Sequence, residues 1–218
     1  MAEIVVRRLV NPTEDEIEQA ATVLKNAFHA AGDPFGHSLS GGNLELDALL
    51  LRTQVRAAVV GGELWTAGFG PTDICAVATC EEQRAAGWYE VEAKFPPELK
   101  KWWSEYFIPR YNAWNASVIG EGTKLKSWQL QLLGTSPEHQ RKGLSGALIK
   151  AVESKAVADG VIMCLETTND PNVAFYRKLG FVVRGTVSLV GSGGETTMTA
   201  PDQALNLGQG LVLGIFAI

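Results

Sequence analysis

Hydrophobic and polar positions along this chain recur with two periods, and the switches between them mark its elements. Ile4 to Val10 reads as an opening strand, stopped by Asn11-Pro12-Thr13. Thr13 followed by Glu16 makes a capping-box sequence. Behind it Ile17, Ala20, Ala21, Leu24, Ala27 and Phe28 recur at helical spacing, which predicts an amphipathic helix. Residues 30–43, rich in Gly, Ser and Asp, read as a loop, and Leu44 to about Val59 as a second helix stopped by Gly61-Gly62. Strand-like runs at 63–69 and 72–80 flank Gly70-Pro71 and predict a hairpin. From 81 to 122 the pattern is irregular. One amphipathic helix there, starting near Pro97, carries Trp102, Trp103, Tyr106 and Phe107.

The pattern sharpens from Lys126. Ser127 to Thr135 is strand-like, and Ser136 to Lys142 is polar with one proline. Leu144 to Ala158 is a helix with Leu144, Ala147, Leu148, Ala151 and Val152 on one face, closed by Gly160. Val161 to Thr167 is a strand, Asn169 to Leu179 a loop running into a short helix, and Phe181 to Val190 another strand. This alternation is the grammar of an α/β layer. The apolar run Leu211 to Ile218 is expected to be the final strand, paired with 181–190 after an exposed excursion at about 191–208. Without an internal repeat or low-complexity linker, residues 1–218 read as a single domain.

Composition narrows the function classes. Hydrophobic residues make up 46% of the 218 positions and charged residues 20%, which suits a globular core. With 19 basic against 24 acidic side chains the net charge is −5, and no basic cluster offers a nucleic-acid footprint. The acidity hints at a cationic partner. Cys75, Cys80 and Cys164 form no CxxC pair, so neither a structural metal nor a disulfide framework is expected. The apolar runs are too short for a membrane span. The beginning, Met1-Ala2-Glu3-Ile4, does not read as a secretory signal, so a cytoplasmic protein is expected.

The chemistry-bearing stretch is the loop Gln140-Arg141-Lys142-Gly143-Leu144-Ser145-Gly146, which opens directly into a helix. A helix start presents unpaired N–H groups and the positive end of the dipole, and small residues at 143, 145 and 146 let a ligand approach the backbone. Neither the Gly-Lys-Ser/Thr ending of a nucleoside-triphosphate loop nor the Rossmann glycine triplet is present. A pyrophosphate held by backbone amides fits this loop. Around it, Leu133-Gly134-Thr135 through Ser145 resembles the acetyl-CoA signature of GNAT N-acetyltransferases, Gln/Arg-x-x-Gly-x-Gly/Ala, with Ser145 in the last small position. Downstream, Asn169 followed by Phe175-Tyr176-Arg177-Lys178-Leu179-Gly180-Phe181 resembles that family's second motif. Over the first 120 residues the likeness rests on element order alone.

The resemblance implies an α/β GNAT fold, with a central, mixed but mostly antiparallel sheet splayed to admit CoA and helices on both faces. It divides the chain into an acceptor-side half (1–125, with an insertion at 81–122), an acetyl-CoA core (126–190) and a C-terminal strand region (191–218). The layout is similar to small-molecule N-acetyltransferases of fungal type. By position, the resemblance implies that Leu133, Gly134 and Thr135 meet the pantetheine arm. Gln140, Arg141, Lys142, Gly143, Leu144, Ser145 and Gly146 would hold the pyrophosphate. Asn169 and Phe175 would contact pantetheine, and Tyr176 would protonate the departing thiolate. The expected reaction is direct acetyl transfer from acetyl-CoA to a small amine, with no metal, by a monomer or homodimer. Another acyl donor, a protein or peptide amine, and an acyl-CoA-binding module without turnover remain alternatives.

Alternation places Glu166 beside Cys164 on one face, making Glu166 the named candidate base against the reading of a carboxylate held in a salt bridge. His139 reads as solvated, and His29 and His37 as candidates to line the substrate side. Trp102, Trp103, Tyr106 and Phe107 read as packing, with an aromatic cage for a cation as the alternative.

Overall fold

A computed structural model describes residues 3–80, 88–192 and 211–217, the last stretch by its backbone. The opening strand β1 (Val5–Leu9) leads into α1 (Glu14–Ala31). The capping box forms as expected: Thr13 Oγ1 accepts from Glu16 N at 3.3 Å and Glu16 Oε2 accepts from Thr13 N at 3.0 Å. Gly32, with φ of 60°, ends α1 in the left-handed conformation that favours glycine.

The expected loop at 30–43 contains a short helix, α2 (Pro34–Leu39). Asp33 caps it by accepting from Gly36 N at 2.7 Å, and Pro34 supplies the fixed φ of a first helical position. Loop-like composition here encodes a helix start. Next come α3 (Leu44–Gly61), β2 (Glu63–Gly68) and β3 (Ala76–Cys80), the last two being the antiparallel hairpin.

Within the expected insertion, whose residues 81–87 lie outside those described, α4 (Trp88–Glu92) and α5 (Pro97–Lys101) precede a π-helical turn at Trp102–Phe107 and then α6 (Ile108–Ile119). The widening coincides with Pro109, which brings no N–H, while Ile108 N bonds to Trp103 O five residues back. The aromatic residues pack on one another, with Trp102 stacked on Phe107 at 5.1 Å. They also tie the insertion to the rest of the chain. Trp103 Nε1 donates to Leu39 O and Trp102 Nε1 to Val190 O, both at 2.9 Å.

The stretch expected as one strand is two, β4 (Trp128–Leu130) and β5 (Leu132–Thr135). After it come α7 (Leu144–Asp159), β6 (Met163–Thr167), α8 (Asp170–Lys178), β7 (Val182–Leu189) and β8 (Leu211–Ala217). Strands form two four-stranded sheets, β1-β2-β3-β5 and β4-β6-β8-β7. Among the described residues only β4 and β6 run parallel; every other pairing is antiparallel.

The split lies at Gln131. Leu130 pairs with Leu165 in the second sheet, whereas Leu132 pairs with Thr79 in the first. Gln131 N also reaches Thr79 O at 2.8 Å, so two residues oppose one, as in a β-bulge. Beyond it β5 and β6 diverge. On one face α7 spans both sheets, its buried Leu144, Leu148, Ile149 and Val152 packing with Ala76, Ala78, Leu130, Met163 and Leu165. On the other face Leu24 of α1 and Val55 and Ala58 of α3 pack with Leu64 and Val77.

The expected final strand β8 pairs with β7 and also lies beside β6, between the two. Ile218 and the expected excursion beyond 192 fall outside the described residues. Removing residues 211–218 takes from β7 its one described partner and from β6 one of its two, and unpaired backbone at packed positions is costly. The truncated chain should lose its cooperative thermal transition. A midpoint within about 3 °C of the full chain would contradict this role.

Candidate active site

The open edge of β5 and the start of α7 meet at one end of the split. Ser136 N donates to Cys75 O at 2.9 Å, which sets the phase of the ladder. By antiparallel alternation Gly134 and Leu132 turn their backbone groups to β3, and Leu133 and Thr135 turn theirs to the other edge. Among the described residues no strand pairs with that edge. Gly134 instead serves α1: a Cβ there would stand 2.9 Å from Leu24 Cδ2 and 3.1 Å from Ala27 Cβ.

Thr135 fastens the edge to the loop. Its Oγ1 lies 2.7 Å from Ser145 Oγ, and its carbonyl accepts from Gln140 Nε2 at 3.3 Å. Arg141 (φ 61°) and Gly143 (φ 90°) both take left-handed conformations, turning the chain sharply into α7. Gly143 is the N-cap and no side chain caps the helix; the first helical bond is Ala147 N to Gly143 O at 3.0 Å. The amides of Leu144, Ser145 and Gly146 therefore head the helix. Leu144's side chain is in the core, and a Cβ on Gly146 would meet nothing within 4 Å, so open space lies beside that turn. Arg141 and Lys142 are exposed, with Lys142 Nζ donating to Glu138 O at 2.9 Å. His139 Nδ1 lies 2.9 Å from Ser136 Oγ and braces the turn. An uncapped helix start beside a free strand edge fits the pyrophosphate and amide arm of a coenzyme A thioester.

Asn169 caps α8, its Oδ1 accepting from Asn172 N at 2.9 Å. Among the described residues its Nδ2 has no hydrogen-bond partner. Phe175 is half-buried, and Tyr176 is buried between Phe175 and Phe181, with ring centroids at 5.2 and 5.7 Å. Burial pushes the Tyr176 phenol up, which keeps its proton in place at neutral pH.

The face of β6 away from α7 is polar. Glu166 Oε1 accepts from Lys124 Nζ at 2.5 Å and from the Tyr111 hydroxyl at 3.0 Å, and Lys124 also contacts that hydroxyl. Gln129 Nε2 donates to Gln131 Oε1 at 2.8 Å, and Cys164 Sγ lies 3.0 Å from Ser127 Oγ. Burial, with Glu166 next to it, holds the Tyr111 phenol well above its ordinary value. Glu166 thus stands in an ion pair. Sequence reasoning missed Lys124 and Tyr111, which reach it across 42 and 55 residues with no local pattern to announce them.

A second polar group borders the same face. His29 Nε2 lies 2.8 Å from Asp47 Oδ2, and Asp33 Oδ1 accepts from Thr168 Oγ1 at 3.2 Å, just past the end of β6. His37 is apart from this pair; its ring lies against Gly42. Burial raises the Asp33 carboxyl against the lowering effect of Gly36 N and Thr168. Among the described residues no group of three or more His, Cys, Asp or Glu is placed to hold a metal ion, and no helix is long and apolar enough to cross a membrane.

The acetyltransferase (GNAT) family model matches residues 75–181, from the end of the hairpin connection through the second motif. The chain carries a GNAT acetyltransferase domain. Such a domain is that of the acyl-CoA-dependent N-acyltransferases. The fold is also similar to solved structures. A Drosophila melanogaster polyamine N-acetyltransferase, described as forming N-acetylagmatine, is 17% identical with 99% of each chain covered and a TM-score of 0.61. A mosquito arylalkylamine N-acetyltransferase-like protein is 17% identical, with 99% of each chain covered and a TM-score of 0.62. An agmatine N-acetyltransferase mutant is 16% identical over 99% of each chain, at a TM-score of 0.60. These likenesses describe the GNAT fold.

Because Asp33 has a raised folded-state value, its ionisation costs stability that is present below the ordinary carboxylate range and lost as pH rises through the folded value. Asp33→Asn keeps a cap-forming oxygen and removes that cost. Its midpoint should match wild type near about pH 4 and exceed it near about pH 8. Thermal unfolding at both pH values checks this, and an equal difference at the two would contradict it.

Proposed function

We propose that this chain transfers an acetyl group from acetyl-CoA directly to the amine of a small molecule. The observation that carries the proposal is the pairing of two backbone surfaces, the β5 edge at Leu133 and Thr135, which no described strand covers, and the uncapped head of α7 at Leu144 to Gly146. One is the shape of an amide-bearing arm and the other of a diphosphate. In this reading Leu133 and Thr135 hold the pantetheine arm, and the turn from Gln140 to Gly146 holds the pyrophosphate. Arg141 and Lys142 supply positive charge at its rim. Asn169 donates its free Nδ2 to the arm while capping α8, and Phe175 packs beside it.

Tyr176 is the proposed proton donor to the departing sulfur, for which a buried, protonated phenol is suited. When bound, the thioester supplies an activated acetyl group; the chain orients it, excludes water and moves protons. A small amine is favoured over a protein segment because the insertion and α2 close over the acceptor side, through Trp103 on Leu39 and Trp102 on Val190. Two of the similar solved structures are described as polyamine or agmatine N-acetyltransferases and the third as arylalkylamine N-acetyltransferase-like, which agrees with that choice.

A thiol-release screen with acetyl-CoA across polyamines, amino acids, aminoglycosides, arylamines and peptide N-termini tests the proposal. The small cationic amines should give turnover; peptides alone doing so would overturn the substrate class, and silence from all would overturn the activity. In the same assay Tyr176→Phe should keep acetyl-CoA affinity while the chemical step slows by about 10²–10⁴-fold. A step within about threefold of wild type would remove Tyr176 as the acid.

A further inference from the structure

On the face of the split away from α7, the charges do not balance. Glu166 is matched by Lys124, whereas among the described residues neither Asp33 nor Asp47 has a Lys or Arg ion-pair partner. These two carboxylates converge: a Cβ on Gly36 would stand 2.9 Å from Asp47 Oδ1 and 3.2 Å from Asp33 Oδ2. Asp47 is buried. The ionisable neighbour it does have is the imidazole of His29, which remains 29% exposed.

The position of His29 follows from the path of α1. Its first turns line a cleft with Ser136 and His139, past the end of β5. Leu24 and Ala27 lie on Gly134, and Phe28 joins the cluster that contains Leu132. So α1 runs back along β5 towards its start, and His29 comes next, at the level where β4 hands over to β5. Asp33, tied to Thr168, bridges from there to the end of β6. Thr168 lies two residues beyond Glu166, or about 7 Å along the chain. The His29 group and the Glu166 group therefore border one groove, opposite the helix that heads the phosphate loop.

We infer that His29 is the proton acceptor for the incoming ammonium and that Asp47 is its positioning residue. This rests on the acetyl-transfer reading. Nε2–H donates to Asp47 Oδ2, which fixes the tautomer and leaves the Nδ1 lone pair without a hydrogen bond among the described residues. His29 Nδ1 takes one proton from the ammonium, whose N–H electron pair stays on nitrogen. The freed amine forms the C–N bond as the C–S bond breaks with its pair going to sulfur. Tyr176 gives its proton to that sulfur, the proton then shed by the new C–N nitrogen restores the phenol by way of water, and the imidazolium returns the first proton to water. The unmatched Asp33 and Asp47 draw a cation to this place.

The test uses the full chain and the best amine from the screen. His29→Gln should slow single-turnover transfer about 10²–10⁴-fold near neutral pH. Acetyl-CoA affinity by calorimetry should stay within about threefold, because the coenzyme lies on the other side of the split. The loss should shrink as pH approaches the amine's own pKa, where free base needs no acceptor. Independently of activity, imidazole ¹⁵N spectra of the wild type should show His29 as the Nε2–H tautomer, and Asp47→Asn should abolish that preference. This spectrum also decides the matter if His29→Gln fails to fold. Transfer by His29→Gln within about threefold of wild type, with Glu166→Gln losing the rate, would overturn the inference and give the role to Glu166. A wild-type Nδ1–H tautomer would also overturn it. A wild type that releases no thiol with any amine sinks the transfer reading and this inference with it.

Discussion

A β-strand has two edges, and the stretch from Trp128 to Thr135 cannot offer both of them to protein along its whole length here. Its first half uses an edge on β6, its second half the opposite edge on β3, and Gln131 is the extra residue that makes the change possible. Past that bulge, Leu133 and Thr135 carry backbone donors and acceptors that the sheet does not use. Leaving such groups buried and unpaired costs about 1–3 kcal/mol each, so a ligand that carries its own amides is stabilised where a hydrocarbon would not be. The open edge to which we assign the coenzyme is in this sense a consequence of one strand changing sheets.

The rest of the domain maintains that opening. Helix α7 lies across both sheets on one face and keeps them at a fixed separation while its uncapped start closes one end of the gap. On the other face Gly134 lets α1 approach within side-chain contact of β5, and the end of that helix leads to Asp33, bonded to Thr168 just past β6. β8, inserted between β6 and β7, anchors the second sheet with pairs on both of its edges. The insertion adds an aromatic layer whose indole N–H groups bind Leu39 and Val190, so its rigidity comes from hydrogen bonds as well as stacking.

Much of this was legible from residues. Helices α1, α3 and α7 follow from apolar positions at helical spacing bounded by Thr13, Gly61 and Gly160. The hairpin follows from Gly70-Pro71, and the turn into the uncapped start of α7 from small residues at a helix start. What escaped did so for identifiable reasons. Residues 30–43 have a loop's composition because Asp33 and Pro34 are both turn formers and helix starters. The break at Gln131 leaves no mark, since a bulge needs no special residue type. The ion pair of Glu166 with Lys124, and the contact of His29 with Asp47, join residues that only the tertiary fold brings together. His29 was visible as a candidate for the substrate side, but its partner on α3 was not.

Residue-resolved amide exchange with and without saturating acetyl-CoA tests the strand-edge claim most directly. The amides of Leu133 and Thr135 should slow by at least about tenfold on addition, while those of Leu132 and Gly134, already turned to β3, should change little. Unchanged exchange at Leu133 and Thr135 in the saturated protein would contradict the claim that β5 receives the coenzyme on its free edge.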